Sequence, residues 1–161
     1  MKIATYVLWV LLGSAYLAFT ADSDFTGNWK LDQEIALDNG KQFVIDGLNT
    51  DFALLITHTG NRFQVEKQCV ACGKSVREYI TDGILHNMPD HIGDVTYGAK
   101  WDGDALVINQ NFEGTTPFGV MVSATKQVWS LSADKQILTV LSSSQRPTGT
   151  VTVTQIYKRQ R

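Results

Sequence analysis

Apolar and polar residues alternate along most of the chain beyond residue 51. Segments 52–58, 63–66, 95–101, 106–112 and 151–157 each place apolar side chains at every second position. A period of two is the pattern of a β-strand that buries one face. No segment in this part of the chain repeats its apolar residues with the period of a helix. The pattern therefore predicts an all-β domain.

Turn residues separate these strands. Gly60-Asn61, Asp82-Gly83, Asp102-Gly103 and Thr148-Gly149 lie between alternating segments, and such pairs favour tight hairpin turns. At Asp82-Gly83 we expect residues 84–88 to pair back on a strand over 74–81. Strands joined this way form an antiparallel up-and-down meander of about nine or ten strands. Pairing the last strand with the first would remove exposed edges, so we predict a closed barrel.

The stretch 25–32, Phe-Thr-Gly-Asn-Trp-Lys-Leu-Asp, opens this domain as its first strand. Residues 33–50 follow without clean alternation, and they hold two apolar clusters around Asn39-Gly40. We interpret 33–50 as a lid, either a short helix or an irregular flap across the barrel mouth.

Residues 1–20 differ from the rest. Lys2 is their only charge, and 3–19 are almost all apolar or small, as in a secretory signal peptide. The run is barely long enough to span a bilayer, and polar sequence follows it at once. We predict cleavage after Thr20 or Ala21, leaving 21–161 as one domain in a secreted or periplasmic protein. A retained membrane anchor is the alternative; after cleavage we expect no stable membrane insertion.

Charge narrows the range of partners. Removing Lys2 with the signal leaves 13 of the 14 basic residues against 16 acidic ones, a formal charge of −3. The only basic block is 158–161, which we interpret as a solvated chain end. Mild acidity argues against a nucleic-acid partner. With 43% hydrophobic residues, the mature chain is typical of one globular domain, which we expect to be a monomer.

Two stretches carry a family resemblance. Trp101-Asp102-Gly103-Asp104-Ala105-Leu106-Val107-Ile108, followed by Val128-Trp129-Ser130-Leu131-Ser132-Ala133-Asp134, resembles a bacterial lipocalin-like (calycin-type) family of small exported proteins. The resemblance covers about residues 24–158. It implies a lipocalin-like barrel of about 8–10 strands, in which Gly27 lets the first strand bend and Trp29 plugs the closed end. Segment 33–50 and the two cysteines depart from the family pattern.

Cys69-Val70-Ala71-Cys72 is the sharpest local signal. In an exported protein, two cysteines and no others most simply form a disulfide, here between Cys69 and Cys72. A redox pair would need a helix N-terminus to lower the pKa of the first thiol, and a hairpin turn offers none. Covalent haem attachment needs His after the second cysteine, where Gly73 stands. Free or redox-active thiols remain open, as does a metal site with His58, His86 or His91 as further ligands; we predict neither metal nor cofactor.

The aromatic residues are the better functional lead. Tyr97 and Trp101 share one strand face, Phe112 lies on the face of Ile108, and Trp129 shares its face with Gln127. Inward faces of a barrel can hold one small ligand, and apolar walls with a few uncharged polar groups suit that task. We therefore predict a non-catalytic barrel that binds a small hydrophobic or amphipathic molecule. Its lining is predicted as Tyr97, Trp101, Phe112, Gln127 and Trp129.

Two other functions remain open. A protein-binding module, such as a periplasmic protease inhibitor, would use the barrel rim and the N-terminal segment. An enzyme would need titratable groups that converge in a cavity. The carboxylates stand mostly in turns, where aspartate bonds the local backbone, and no nucleophile or phosphate-loop motif is present.

Overall fold

The computed structural model describes residues 23–38, 41–44, 52–70, 73–89, 93–116, 119–147 and 149–161. The predicted signal peptide, 1–20, lies outside them. So do Cys72, His91 and most of the second half of the predicted lid.

Strands make up nearly all of the described chain. They are β1 (Gly27–Asp38), β2 (Lys41–Val44), β3 (Ala53–Thr59), β4 (Arg62–Cys69), β5 (Gly73–Ile80), β6 (Leu85–Met88), β7 (Gly93–Asp102), β8 (Ala105–Thr116), β9 (Gly119–Leu131), β10 (Ile137–Arg146) and β11 (Gly149–Arg159). No helix occurs in the described segments. This confirms the predicted all-β class.

One antiparallel sheet contains all of these strands and curls into a nearly closed barrel. Its order is β5-β4-β3-β1-β11-β10-β9-β8-β7-β6, with β2 paired to β1 beyond the end of β3. The last strand pairs with the first over most of their length, from Trp29 opposite Arg159 to Asp38 opposite Val151. The predicted meander and its closure by the first and last strands are therefore confirmed.

The two ends of the sheet do not form a ladder with each other. We expected residues 84–88 to pair back on β5, but β6 pairs with β7 instead, from Leu85 opposite Gly98 to Met88 opposite Val95. The Asp82-Gly83 turn thus leads away from β5. The gap is bridged by the Ile80 amide, which donates to the Tyr97 hydroxyl at 3.1 Å. His86 stacks on the same ring, with 5.3 Å between centroids, and this contact fixes β6 against β7.

The lid interpretation is wrong for residues 33–38 and 41–44. These residues extend β1 and form β2, with Ile35 opposite Val44 and Asp38 opposite Lys41. A hairpin satisfies the backbone groups that a loose flap would leave unpaired. Residues 39–40 and 45–50 lie outside the described part of the chain.

A β-bulge interrupts β1. Its register with β11 shifts between Leu31 and Gln33, so that Leu31 faces Tyr157 whereas Glu34 faces Gln155. A bulge inserts one extra residue and reverses which side chains point inward beyond it. Here it directs Glu34 to the inner face.

An apolar core fills the end of the barrel that holds the β3–β4, β7–β8 and β9–β10 turns; we call this end the base. Its buried members come from nine strands and the segment before β1: Phe25, Trp29, Leu54, Ile56, Phe63, Val65, Tyr79, Tyr97, Ala99, Leu106, Ile108, Trp129, Leu138, Val140 and Tyr157. The aromatic rings pack edge to face, for example Phe63 against Phe25 and Trp129 at 5.8 and 5.5 Å.

Arg159 links the last strand to the start of the first strand at the base. Its guanidinium donates to the Thr26 carbonyl at 2.7 Å and lies 4.3 Å from the centroid of the Trp29 ring. Trp29 is fully buried, and its indole N–H donates to the Phe25 carbonyl at 2.9 Å. Gly27 has a φ of 146°, and a Cβ there would approach Arg159 Nη1 to 2.7 Å. The solvated-end interpretation of 158–161 is thus wrong for Arg159.

Candidate functional site

Toward the opposite end, which we call the mouth, the inner face of the barrel becomes polar. Alternation and strand register place the inward side chains of this half beyond the core. They are Glu34, Lys67, Ser75, Arg77, Gln110, Ser123, Thr125, Gln127, Ser142, Ser144 and Gln155. Several are joined by hydrogen bonds, such as Thr125 to Ser144 at 2.9 Å. The lumen is therefore amphipathic along its axis.

A small cavity of about 40 Å³ lies where the core meets this polar half. It is lined from β4 and β5 on one wall and from β9 on the other, by Val65, Lys67, Ser75, Arg77, Tyr79, Gln127 and Trp129. We call it the inner cavity. Its floor is apolar and aromatic, and its walls carry two cationic side chains, so it can accommodate one polar group above an apolar surface.

A second cavity of about 190 Å³ lies nearer the mouth. Its lining is Arg77, Val95, Gln110, Phe112, Ser123 and Thr125. We call it the outer cavity. Arg77 belongs to both linings, so the two cavities share its side chain. Phe112 and Val95 add apolar surface to the outer cavity beside the hydroxyl groups of Ser123 and Thr125.

Two glutamines are oriented by aromatic residues two positions further along their strands. The Trp129 indole donates to Gln127 Oε1 at 3.1 Å, and the Tyr157 hydroxyl donates to Gln155 Oε1 at 3.0 Å. An indole N–H can only donate, so it fixes which end of the Gln127 amide faces it. Both amide carbonyls thus accept hydrogen bonds from aromatic residues of the base. The NH₂ groups are left for the lumen, and that of Gln155 donates to Glu34 Oε2 at 2.6 Å.

Electrostatics distinguish Lys67 and Arg77 from the other inward residues. Loss of hydration within the barrel wall lowers the pKa of Lys67, the neighbouring Arg77 charge lowers it further, and Glu34 acts in the opposite direction. The Lys67 side chain nevertheless remains exposed to water. Burial raises the pKa of Tyr79, and the charge of Arg77 and a hydrogen bond with it oppose that rise. Gln110 also donates to the Tyr79 hydroxyl, at 3.3 Å.

The structure separates the five residues predicted to line a ligand site. Gln127 and Trp129 line the inner cavity, and Phe112 lines the outer one. Tyr97 and Trp101 line neither of these two cavities. Tyr97 packs between Tyr79 and His86 beside the sheet gap, and Trp101 packs on Phe25 and His58 at the base.

Lys67 and Arg77 were missed by the sequence analysis. The signal was present, because the parity that puts Phe63 and Val65 on the buried face also puts Lys67 there. The same parity on β5 joins Arg77 to Tyr79. A charged residue in an apolar register is easily assigned to a strand end, where the alternation ends at the surface. Only the strand pairing shows that the barrel wall continues past Val65, so that Lys67 lies inside the lumen.

Cys69 is buried at the mouth end of β4, and no free cysteine occurs among the described residues. Cys72 lies outside them, so the bond between the two stays a prediction. The described ranges contain no group of three or more His, Cys, Asp or Glu residues suited to a metal ion. They also hold no helix long and apolar enough to cross a membrane.

Two further depressions lie on the outer surface. One of about 230 Å³ runs across β8, β9 and β10 beside Asn109, Asn111 and Lys126. The other, of about 290 Å³, lies beside Lys30, Asp32 and Lys158, where Lys158 pairs with Asp32 at 2.8 Å. Both are larger in volume than the lumen cavities, but most of their lining side chains are exposed.

Comparisons with known proteins identify the fold. No family model matches the chain, and no curated protein matches it. Solved structures do match across 84% of the chain. A zebrafish ileal bile acid-binding protein in complex with cholic acid aligns at 15% identity over 98% of its own length, with a TM-score of 0.58.

Two other solved structures agree. A REP1-NXSQ fatty acid transporter aligns at 12% identity over 96% of its length, with a TM-score of 0.56. A secretory abundant heat soluble protein from Ramazzottius varieornatus aligns at 13% identity over 95% of its length, also with a TM-score of 0.56. This chain therefore has a calycin-type barrel.

Proposed function

We propose that this protein binds a small amphipathic molecule inside its barrel and performs no chemistry on it. The observation that carries the proposal is the pair of cavities in the lumen, which share Arg77 and are bounded below by a filled aromatic base. A ligand there contacts apolar surface from Trp129, Val95 and Phe112 and polar side chains from the mouth half of the strands. Concave sites with this mixture are typical of small-molecule pockets.

The solved neighbours support a ligand in the lumen. One is a bile acid-binding protein solved with cholic acid, and another is described as a fatty acid transporter. At 12–15% identity these proteins share the architecture, and the ligand of this chain follows from its own lining. That lining favours an amphipathic molecule over a purely hydrophobic one, because half of the inner face is polar.

The expected affinity is modest. A ligand that buries about 200 Å² of apolar surface gains roughly 5 kcal/mol before the cost of ordering it. Polar contacts in the mouth half add to this gain. Micromolar dissociation constants are therefore expected, which suits a carrier or a scavenger.

Titration with 1-octanol, an uncharged amphiphile, tests the proposal. We expect saturable binding by calorimetry together with a shift in tryptophan fluorescence, because Trp129 lines the inner cavity. Ser123→Phe should lower the affinity at least tenfold, since it places a ring in the outer cavity. Ala124→Phe is the matched control, because Ala124 is the neighbouring, exposed residue on the outer face, and its affinity should be unchanged.

Absence of saturable binding would overturn the proposal. So would binding that survives Ser123→Phe unchanged, because the ligand would then lie outside the lumen. Equal losses in Ser123→Phe and Ala124→Phe would point to the outer surface of β9.

We further propose that the protein is exported and acts as a monomer. Residues 1–20 have the charge and hydropathy of a signal peptide, which supports cleavage near Thr20. N-terminal sequencing of protein from the extracellular or periplasmic fraction should begin at Ala21 or Asp22, and light scattering should give the monomer mass. Recovery only from the cytosol with Met1 intact would contradict export, and a larger mass would contradict the monomer.

The structure offers no comparable support for a protein-binding module. That function would need a free N-terminal segment, whereas Ser23 and Phe25 are buried against the base.

A further inference from the structure

Lys67 brings a primary amine to the lumen. It lines the inner cavity together with Val65, Tyr79 and Trp129, and no other lysine belongs to the lining of either lumen cavity. Its position follows from the register, because β4 alternates inward from Phe63 through Val65 to Lys67. The amine therefore lies beside an aliphatic and aromatic surface.

The Lys67 amine is not tied to a partner in the part of the chain that the structure describes. It makes no hydrogen bond or ion pair with a described residue. By contrast, Lys74 on the outer face of β5 pairs with Glu66 at 2.7 Å. Because the Lys67 side chain is also exposed to water, a molecule that enters the lumen can reach its nitrogen.

The surroundings of Lys67 favour the uncharged amine. Loss of hydration inside the barrel lowers its pKa, the charge of Arg77 lowers it further, and Glu34 acts in the opposite direction. Tyr79 lines the same cavity, and burial raises the pKa of its hydroxyl, so no phenolate is there near neutral pH to favour the ammonium form. Lysine amines in such surroundings are the nucleophiles that form imines with carbonyl compounds.

We propose that Lys67 forms a reversible imine with an aldehyde held in the lumen. The amine nitrogen attacks the carbonyl carbon, its two protons leave with the carbonyl oxygen as water, and a carbon–nitrogen double bond remains. Hydrolysis returns the unchanged aldehyde, so the adduct is a covalent form of binding and not a conversion of the ligand. This inference rests on the proposed function, because the aldehyde must first occupy the lumen.

The two cavities define the class of aldehyde. The inner cavity, about 40 Å³, has space for the carbonyl group beside Lys67. The outer cavity, about 190 Å³, has apolar surface from Val95 and Phe112 for the body of the molecule. The ligand class is therefore an amphipathic aldehyde with an apolar body, for which octanal is a suitable probe.

Octanal with sodium cyanoborohydride tests the proposal, because the reductant converts an imine to a stable secondary amine. We expect peptide mapping by mass spectrometry at pH 7 to show labelling of Lys67 at least tenfold faster than that of Lys74. The α-amino group reacts separately and is resolved by the same mapping. An excess of 1-octanol should slow the labelling of Lys67 at least fivefold and leave that of Lys74 unchanged, since the alcohol competes for the lumen.

Lys67→Arg keeps the positive charge but removes the primary amine. Titrations without reductant, followed by tryptophan fluorescence, should show the wild type binding octanal at least fivefold more tightly than 1-octanol. In Lys67→Arg the two affinities should become equal. Lys74→Arg is the matched control on the outer face, and it should keep the preference for octanal. Circular dichroism of each variant verifies folding before titration.

The outcomes separate the two proposals. If 1-octanol binds but Lys67 and Lys74 are labelled equally, or if the wild type does not prefer octanal, the imine site is wrong and the lumen proposal stands. Labelling of Lys67 that 1-octanol does not slow would also overturn the imine site, because the aldehyde would not react from the lumen. If neither octanal nor 1-octanol binds, both proposals fail.

Discussion

The base and the mouth of this barrel are built from the same strands, yet they have different roles. At the base, Trp29, Phe63 and Tyr157 are almost completely buried, and each packs in one continuous apolar cluster. At the mouth, the same alternation brings Lys67 and Arg77 inward. The base thus stabilises the fold, whereas the mouth half places polar and charged groups around the two lumen cavities.

The difference shows how the barrel divides stability from binding. Inward residues at the base gain free energy by excluding water. Inward residues at the mouth border cavities instead of packing closely against each other, so they contribute less to folding. Substitutions at the two ends should therefore differ in both size and kind, and the following four tests range from the largest expected effect to the smallest.

Phe63→Ala should destabilise the protein by about 3–5 kcal/mol, because it leaves a void among the aromatic rings of the base. Phe112→Ala makes the same change at the mouth, where the half-buried ring borders a cavity that already exists. We expect it to cost about 1 kcal/mol. Urea unfolding followed by circular dichroism measures both, and equal losses would refute the division between base and mouth.

Gln155→Leu should cost about 1–3 kcal/mol, since it removes the acceptor of the buried Tyr157 hydroxyl and the donor to Glu34. Gln155 lies at the boundary, so its effect should fall between those of base and mouth. Gln145→Leu, on the exposed surface of β10, is the control and should change stability by less than about 0.5 kcal/mol. A Gln155→Leu variant as stable as this control would show that the Tyr157–Gln155–Glu34 chain is not stabilising.

Removing both cysteines, by Cys69→Ser with Cys72→Ser, should lower stability by about 2 kcal/mol or less and leave the barrel folded. A disulfide that closes so short a loop restricts the unfolded chain only slightly. Titration of the denatured, unreduced wild type should find no free thiol. Free thiols would refute the disulfide, and loss of a bound metal in the double variant would favour a metal site.

Lys67→Met should change stability by less than about 1 kcal/mol at pH 7, although the residue points inward. The pKa of Lys67 is lowered in the folded protein, so the unfolded chain binds more protons as the pH approaches 10.5. Wild-type stability should therefore rise relative to the variant between pH 7 and pH 10. Tyrosine ionisation occurs in both proteins and largely cancels in the difference, which urea unfolding at several pH values measures. A difference independent of pH would contradict the desolvation of the Lys67 ammonium group in the lumen.

Much of the fold could be predicted from the sequence. Alternation over 95–101 and 106–112 fixed which side chains face inward, because successive residues of a strand point to opposite sides. Glycine at positions such as Gly103, where φ is 60°, marked the hairpin turns. These signals depend only on neighbouring residues, so they can be recognised in one sequence. Gln127, Trp129 and Phe112 could be selected for the same reason.

The hairpin predicted at Asp82-Gly83 shows where local signals end. A turn dipeptide indicates that the chain reverses, but it does not specify which strand pairs with the next one. The partner of β6 is set by contacts beyond the turn itself, among them the stacking of His86 on Tyr97 across the β6–β7 pair.

By itself, the sequence determined most of the strands and their inward faces, because these depend on alternation and on turns of a few residues. The closing of the last strand on the first could be expected because it removes exposed sheet edges. Only the tertiary structure decided how deep each inward residue lies and what faces it across the lumen. The bulge between Leu31 and Gln33 turns Glu34 inward, and the pairing of β4 with β5 sets Lys67 and Arg77 beside one cavity. Both follow from registers between separate strands, which the packing of the whole barrel selects.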